Sequence, residues 1–215
     1  MIGDLVHGKF VANRLLTDVE DCMLEQYHLP DGHIDIGLFT TACDGVGYVA
    51  ADDATKKANV QVAQIYTTYG GCGKFNDGQV FGVLSGPMVS DVERGLRYVR
   101  EFTEKESTCY SISDDDSTLI YAQCVSRIGS YFAKAYNLER GSSIAYLIAP
   151  AMHGAVGIDE ALTQANVDVV RFWSRPTESN MSGAILTGRQ AQGMWVYVRL
   201  PLTLAIVLSL LIKAR

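Results

Sequence analysis

The stretch ADDATKKANVQV (residues 51–62) is repeated in IDEALTQANVDV (residues 158–169), which has the same residue at six of the twelve positions. Asp52 pairs with Asp159 at an offset of 107 residues (159 − 52), which is half of the 215-residue chain. Self-similarity at half the chain length predicts two copies of one domain in a single chain. We place the copies at residues 1–106 and 107–215.

The repeat extends in both directions, so each copy has the same predicted order of elements. Upstream, IDIGLFTTA (34–42) aligns with SIAYLIAPA (143–151), and downstream VLSG (83–86) aligns with ILTG (185–188). Continuous apolar runs such as IGLF and AYLI predict strands that are covered on both faces. The helix that carries the D-[DE]-A motif follows, and we place its Asp pair at the helix start, where carboxylates suit the free N–H groups.

The remaining elements complete the predicted fold class. Each copy begins with an extended segment (9–16 or 118–125) and an amphipathic helix (19–28 or 126–136). Two further strands follow the D-[DE]-A helix, and a last helix closes the copy, VSDVERGLRYVREF (89–102) in the first. Strands and helices interleave, which predicts an α+β fold with helices packed on mainly antiparallel sheets.

Composition excludes several classes of protein. A net charge of −6 argues against nucleic acid as a partner, because its binders need a basic face. The five scattered cysteines form no CxxC pair, which is typical of reduced thiols in a cytoplasmic protein. The amino-terminal MIGDLVHGKF has no basic segment followed by an apolar run, so no signal peptide is expected.

The carboxyl-terminal segment is unusually apolar. Residues 200–212 form a largely apolar, uncharged run of 13 residues, shorter than the roughly 20 that span a bilayer. We therefore predict a buried terminal helix that Pro201 opens, with a membrane anchor as the less favoured alternative.

The sequence offers little for catalysis, so we predict a protein that is not an enzyme and holds no metal or cofactor. GGCGKFNDG (70–78) resembles a phosphate loop, but Phe75 follows its Gly-Lys pair, and Thr68 stands where that loop requires glycine. None of the four histidines has metal-ligand spacing to another ligating residue. Asp44 follows a buried strand and precedes a helix, where a carboxylate can face a small cation; a turn-forming aspartate is an equal alternative.

Two long loops are the better functional candidates. YTTYGGCGKFNDG (66–78) and WSRPTESN (173–180) occupy the same place in the two copies, between equivalent strands. Simple connection is the plainest interpretation, but paired long loops in a repeat protein often carry function. If the chain forms a ring, these loops are expected at its centre.

Several of these motifs together resemble one family. YVAADDATKKANVQV, CVSRIGSY, AYLIAP and PTESNMSGAILTG are similar to the tandem-domain shell proteins of bacterial microcompartments, in particular those of the ethanolamine-utilisation type. The resemblance covers about residues 4 to 192. It implies two circularly permuted BMC domains, a homotrimer that imitates a hexamer, and tiling with other shell proteins into the wall of a cytoplasmic compartment.

The resemblance also assigns residues. Lys56 matches a lysine at the tile edge, and Asp44 matches an acid in a pocket that binds a small amino alcohol, with Gln79 and Tyr110 at the positions of its other ligand-binding residues. The pocket's second acid is replaced by Gly45, its Glu by Gln79 and its Phe by Cys109 or Tyr110, although an ammonium ligand favours carboxylates and an aromatic face. The residues that match the pore loops are Tyr69, Gly70, Gly71, Cys72, Gly73, Pro176, Thr177, Glu178, Ser179 and Asn180.

The sequence leaves one rival from another class, a small-molecule sensor or enzyme built on duplicated α+β domains. Asp44 with its neighbouring loop favours that rival. The absence of a recognisable set of catalytic residues argues against it.

Overall fold

The computed structural model describes residues 3–68, 79–174, 181–188, 195–199 and 205–209. Its strands in chain order are β1 (Leu5–Val6), β2 (Phe10–Leu16), β3 (Asp35–Thr41), β4 (Gln61–Thr68), β5 (Gln79–Gly86), β6 (Cys109–Ser111), β7 (Leu119–Val125), β8 (Ile144–Pro150), β9 (Val167–Trp173), β10 (Met181–Gly188), β11 (Trp195–Arg199) and β12 (Ala205–Ser209). Its helices are α1 (Asp21–Tyr27), α2 (Asp44–Lys57), α3 (Val89–Glu101), α4 (Ser130–Tyr136) and α5 (Ala151–Gln164), and a π-helical turn (Phe102–Glu106) extends α3.

The described residues form two compact units, each assembled from separate segments of the chain. One comprises His7–Ser107 with Gly129–Arg140, which we call the α2 unit. The other comprises Met1–Val6, Thr108–Ile128 and Gly141–Arg215, which we call the α5 unit. The division of the repeated sequence at residues 106 and 107 stays a prediction about the repeat.

Both units contain the same antiparallel strand order. In the α2 unit the sheet runs β2-β3-β5-β4, and in the α5 unit it runs β1-β6-β7-β8-β10-β9. Strands β7-β8-β10-β9 therefore repeat the order β2-β3-β5-β4, strand for strand. This arrangement confirms the predicted α+β fold and shows the sequence repeat as a repeat of topology.

Each sheet is covered by the helix that carries the repeated motif. In the α5 unit, Ile158 and Ala161 of α5 are buried against Leu147 of β8 and Leu186 of β10. In the α2 unit, α3 adds a second helix, and Val92, Leu96 and Val99 along one side of it are buried as the amphipathic pattern predicts.

One sequence expectation fails inside α2. Asp52 and Asp53 do not begin a helix, because α2 starts at Asp44 and places them in its third turn. Asp52 is fully buried there. A buried carboxylate needs hydrogen-bond donors, and the N–H groups in the interior of a helix are already bonded, so its partners come from elsewhere in the fold.

The predicted terminal helix is also wrong. Residues 195–199 and 205–209 pair as the antiparallel strands β11 and β12, with Trp195 opposite Ser209 and Arg199 opposite Ala205. The segments WVYVR and AIVLS are rich in aromatic and β-branched residues, which favour strands over helices. No helix in the described part of the chain has the length and apolar character needed to cross a membrane.

Candidate functional site

The start of α2 lies close against the sheet because Gly47 has no side chain. A Cβ there would approach the Thr41 hydroxyl and, at 2.8 Å, the Cβ of Val80, so a larger residue would push the helix away from β3 and β5. The Thr41 hydroxyl donates to the Cys43 carbonyl at 3.2 Å and stabilises the turn between β3 and α2. The local sequence therefore fixes where α2 begins relative to the sheet edge.

Asp44 is the first residue of α2 and is half-buried. Its Oδ1 accepts a hydrogen bond from the Gly45 N–H at 2.6 Å. The amino-terminal turn of a helix carries partial positive charge, which stabilises a carboxylate at this place. The structure thus places this predicted residue at the junction of strand and helix.

Tyr48 lies one turn after Asp44 and adds a hydroxyl to the same end of the helix. The Thr67 hydroxyl of β4 donates to the Tyr48 hydroxyl at 3.3 Å. Burial raises the pKa of Tyr48, the bond from Thr67 lowers it, and the nearby Asp44 carboxylate raises it further. Tyr48 therefore stays protonated at neutral pH.

Gln79 reaches this end of the sheet from β5. It is the first residue of that strand and pairs with Thr68 of β4, whose hydroxyl donates to the Gln79 carbonyl at 3.1 Å. The next residue of β5, Val80, pairs with Thr41 of β3, three residues before Asp44. Asp44 and Gln79 therefore lie at one end of the sheet of the α2 unit.

Tyr110 belongs to the other unit. It lies in β6 of the α5 unit, opposite Leu5 of β1 and Ile120 of β7. Burial and the neighbouring Cys109 raise the pKa of its phenol. Its side chain is half-buried against the core of that unit.

Lys56 is paired within its own helix. Its Nζ lies 3.0 Å from Asp53, and its side chain is 26% exposed. Lys57 contacts the same carboxylate at 2.8 Å and Glu106 at 3.3 Å. Thr163, the counterpart of Lys56 in α5, donates its hydroxyl to the Asp159 carbonyl instead, so the two copies differ at this position.

The predicted pore-loop residues, from Tyr69 to Gly73 and from Pro176 to Asn180, lie outside the described residues. The strands beside them are equivalent: β4 and β5 flank the first loop, and β9 and β10 flank the second. The same topological place in both units is what the sequence repeat predicted for them.

Four residues lie at this end of the sheet, and we call them the Asp44 group: Asp44, Tyr48, Thr67 and Gln79. Two of them, Tyr48 and Thr67, were not predicted from the sequence. Tyr48 stands four residues after Asp44 in a predicted helix, and residues at that spacing share a face, so the helical period was a usable signal. Thr67 gave no such signal, because only the sheet brings it to Tyr48. In the part of the chain that the structure describes, no group of three or more His, Cys, Asp or Glu side chains is placed to hold a metal ion.

Comparisons with known proteins agree with this fold. The BMC domain family matches residues 35–113. The microcompartment shell protein EutL of Clostridium perfringens is 37% identical over 194 residues, which is 89% of each chain, and EutL of Salmonella typhimurium is 35% identical over 87% of each chain. The crystal structure of the ethanolamine utilization protein EutL from Leptotrichia buccalis superposes with a TM-score of 0.82 at 41% identity, covering 87% of this chain and 88% of that one.

Proposed function

This chain belongs to the bacterial microcompartment shell proteins, and from that premise we propose that three copies of it form a pseudohexameric tile with a central pore. Its role is structural, as a component of the microcompartment shell. Its curated relatives are named as shell proteins, which supports a role without catalysis.

The repeated strand order of the two units is the observation that best supports the pseudohexameric tile. A chain with two copies of one domain needs only three chains to supply six equivalent positions around an axis. Because the two copies of the domain have separate sequences, alternate positions around the axis can also differ, as Lys56 of the first copy differs from Thr163 of the second.

The pore is the finer part of the proposal. The loops from Tyr69 to Gly73 and from Pro176 to Asn180 would line it, because they occupy the same place in both copies. Lys56 would act at the tile edge towards other shell proteins, in one copy of the domain only.

A small amino alcohol is the ligand that the Asp44 group suits best. A carboxylate attracts an ammonium group, and the Tyr48 and Thr67 hydroxyls with the Gln79 amide offer hydrogen bonds to an alcohol. The test is a thermal melt with and without ethanolamine, for the wild type and for Asp44→Asn. A rise in Tm that the variant loses supports the ligand, and an equal response of both proteins contradicts it.

Light scattering of the purified full chain tests the tile itself. A mass of three times 23.5 kDa, about 70 kDa, followed by flat sheets in electron micrographs, is the expected result. A well-folded monomer that answers to a small ligand without any assembly would instead favour the sensor.

A further inference from the structure

The hydroxyl of Tyr48 has a proton that the fold of the α2 unit does not use. The oxygen accepts a hydrogen bond from the Thr67 hydroxyl at 3.3 Å, and within the described part of the chain Thr67 is its hydrogen-bond partner. A phenol can donate one proton in addition to the bonds that its oxygen accepts. Because the Thr67 proton is directed at the Tyr48 oxygen, the Tyr48 proton points away from Thr67 and towards another acceptor.

Two contacts hold the Tyr48 ring and so determine where this proton lies. The ring of Tyr131 in α4 stacks on it, with centroids 6.4 Å apart and planes inclined by 23°. Helix α4 is held in turn by the buried Asp52 carboxylate of α2, which accepts hydrogen bonds from the Gly129 N–H at 2.6 Å and the Phe132 N–H at 2.9 Å. The ring is therefore fixed by α4 on its face and by β4 at its oxygen.

The Asp44 carboxylate lies on the same face of α2, one turn before Tyr48. Side chains four residues apart in a helix are neighbours, with Cβ atoms about 5–6 Å apart. Burial raises the pKa of Tyr48 most, and the Asp44 carboxylate raises it further, as a negative charge near the phenol must. Both side chains are half-buried. One face of α2 thus presents an acid and a hydroxyl donor next to each other.

The second copy of the domain shows that the helix does not need these two groups. The offset of 107 residues takes Asp44 to Ala151 and Tyr48 to Ala155. Helix α5 nevertheless has fourteen residues, as α2 has. The acid and the phenol are therefore dispensable for helix formation, and their presence in one copy only points to a ligand.

We propose that Tyr48 recognises the hydroxyl group of the ligand, whose ammonium group lies at Asp44 and whose hydroxyl oxygen accepts the Tyr48 proton. This inference rests on the proposed amino-alcohol site and names the group that distinguishes an amino alcohol from a plain amine. Thr67 is a positioning residue, because its bond to the Tyr48 oxygen turns the Tyr48 proton towards the ligand.

The selectivity follows from the unused proton. In n-propylamine a methyl group replaces the hydroxyl of ethanolamine, so its binding would leave the Tyr48 proton without an acceptor. A net hydrogen bond of this kind corresponds to roughly a 3- to 10-fold difference in Kd. Since the second copy lacks both groups, each chain is expected to bind one molecule of the amino alcohol.

Isothermal titration calorimetry of the purified full chain with each of the two amines tests the inference. We expect the wild type to bind ethanolamine about 3- to 10-fold more tightly than n-propylamine, at one molecule per chain. Tyr48→Phe keeps the ring and its stacking on Tyr131 but removes the proton. In this variant the two Kd values should become equal, because ethanolamine binds more weakly while n-propylamine binds as before.

Three further variants separate recognition of the hydroxyl from folding and from binding of the ammonium group, with a thermal melt of each as the check on folding. Tyr66→Phe is the matched control, since it makes the same change at an exposed residue next to Thr67, and it should keep the wild-type ratio of Kd values. Thr67→Val should reduce the ratio without abolishing amine binding. Asp44→Asn should weaken both amines by a similar factor, because both carry the ammonium group.

The outcomes distinguish this inference from the site on which it rests. A wild type that binds both amines equally overturns the role of Tyr48 and leaves an amine site at Asp44 intact. A wild type that binds neither overturns the amino-alcohol site as well. A preference for ethanolamine that persists in Tyr48→Phe overturns the inference, because another group then recognises the hydroxyl. A preference that is lost in Tyr48→Phe and kept in Tyr66→Phe supports both the site and the role of Tyr48.

Discussion

Replacing Asp52 with alanine should cost the protein a large part of its stability, because the buried Asp52 carboxylate of α2 caps the amino terminus of α4. The substitution leaves the Gly129 and Phe132 N–H groups buried without an acceptor. Hydrogen bonds to a charged acceptor contribute about 1.5–3 kcal/mol each, so the two together amount to about 3–6 kcal/mol. Burial raises the pKa of Asp52, which means that the carboxylate is desolvated at some cost, and its removal returns part of that sum. We expect a net loss of about 2–4 kcal/mol.

Urea unfolding at fixed protein concentration measures this loss as a lower midpoint with an unchanged slope. Asp52→Asn is the matched control, because an amide keeps one acceptor oxygen, and it should lose roughly half as much. Hydrogen exchange of the Phe132 amide should accelerate in the alanine variant. A loss below about 0.5 kcal/mol, the usual size for a surface site, would refute the capping role.

The same carboxylate makes stability depend on pH. Because burial raises the pKa of Asp52 above its ordinary value of 3.8, Asp52 binds a proton more readily in the folded state than in the unfolded chain. The stability that this difference in pKa contributes is fully present below pH 3.8 and is lost as pH rises through the pKa of the folded state. The Asp52→Asn variant should lack this component of the pH profile, and an unchanged profile would contradict it.

Three further predictions concern the α2 unit. Gly47→Ala should lower the free energy of unfolding by about 1–3 kcal/mol in a thermal melt, since its Cβ would press on Thr41 and Val80; an unchanged Tm would show that α2 can move away from the sheet without cost. Phe132→Ala should cost about 3–5 kcal/mol in urea because the ring is fully buried, and a loss below about 1 kcal/mol would mean that the residue is not part of the core. Burial lowers the pKa of Lys57, but its ion pairs outweigh this and raise it, so stability from Lys57 is present below pH 10.5 and is lost above it. Lys57→Met should abolish this loss of stability at alkaline pH, and it should lower the free energy of unfolding by under about 1 kcal/mol at pH 7, because the side chain is 36% exposed. A loss of stability at alkaline pH that persists in the variant would contradict the assignment to Lys57.

The repeated strands were predictable from the sequence, and the buried acid was not. Alternating and continuous apolar runs located β2 to β5 and β7 to β10, because strand patterns depend on local burial. Asp52 looked like a helix start since aspartate favours that position. Its partner Gly129 is 77 residues away, and no local pattern encodes a cap supplied to a different helix.

The residues of the candidate site also differ in whether local sequence or contacts between distant segments determine their place. Asp44 was found because it stands between a buried strand and a helix, and both elements are local. Tyr48 shares its helix face and was within reach of the helical period, but Thr67 comes to it only through the pairing of β4 with β5. Tyr110 was expected at the same pocket and lies in the other unit, which depends on how the chain divides between the two sheets.

The assignment of α4 to the α2 unit has a consequence for synthesis on the ribosome. Residues 7 to 107 emerge first, yet the helix that accepts the Asp52 cap ends at Tyr136. At about 5–20 residues per second, the nascent chain carries an incomplete α2 unit for roughly two to six seconds. During that interval Asp52 and the apolar face around it are open to chaperones and to neighbouring nascent chains. Slower translation between residues 107 and 140 should therefore lower the yield of soluble protein more than the same delay placed after residue 140.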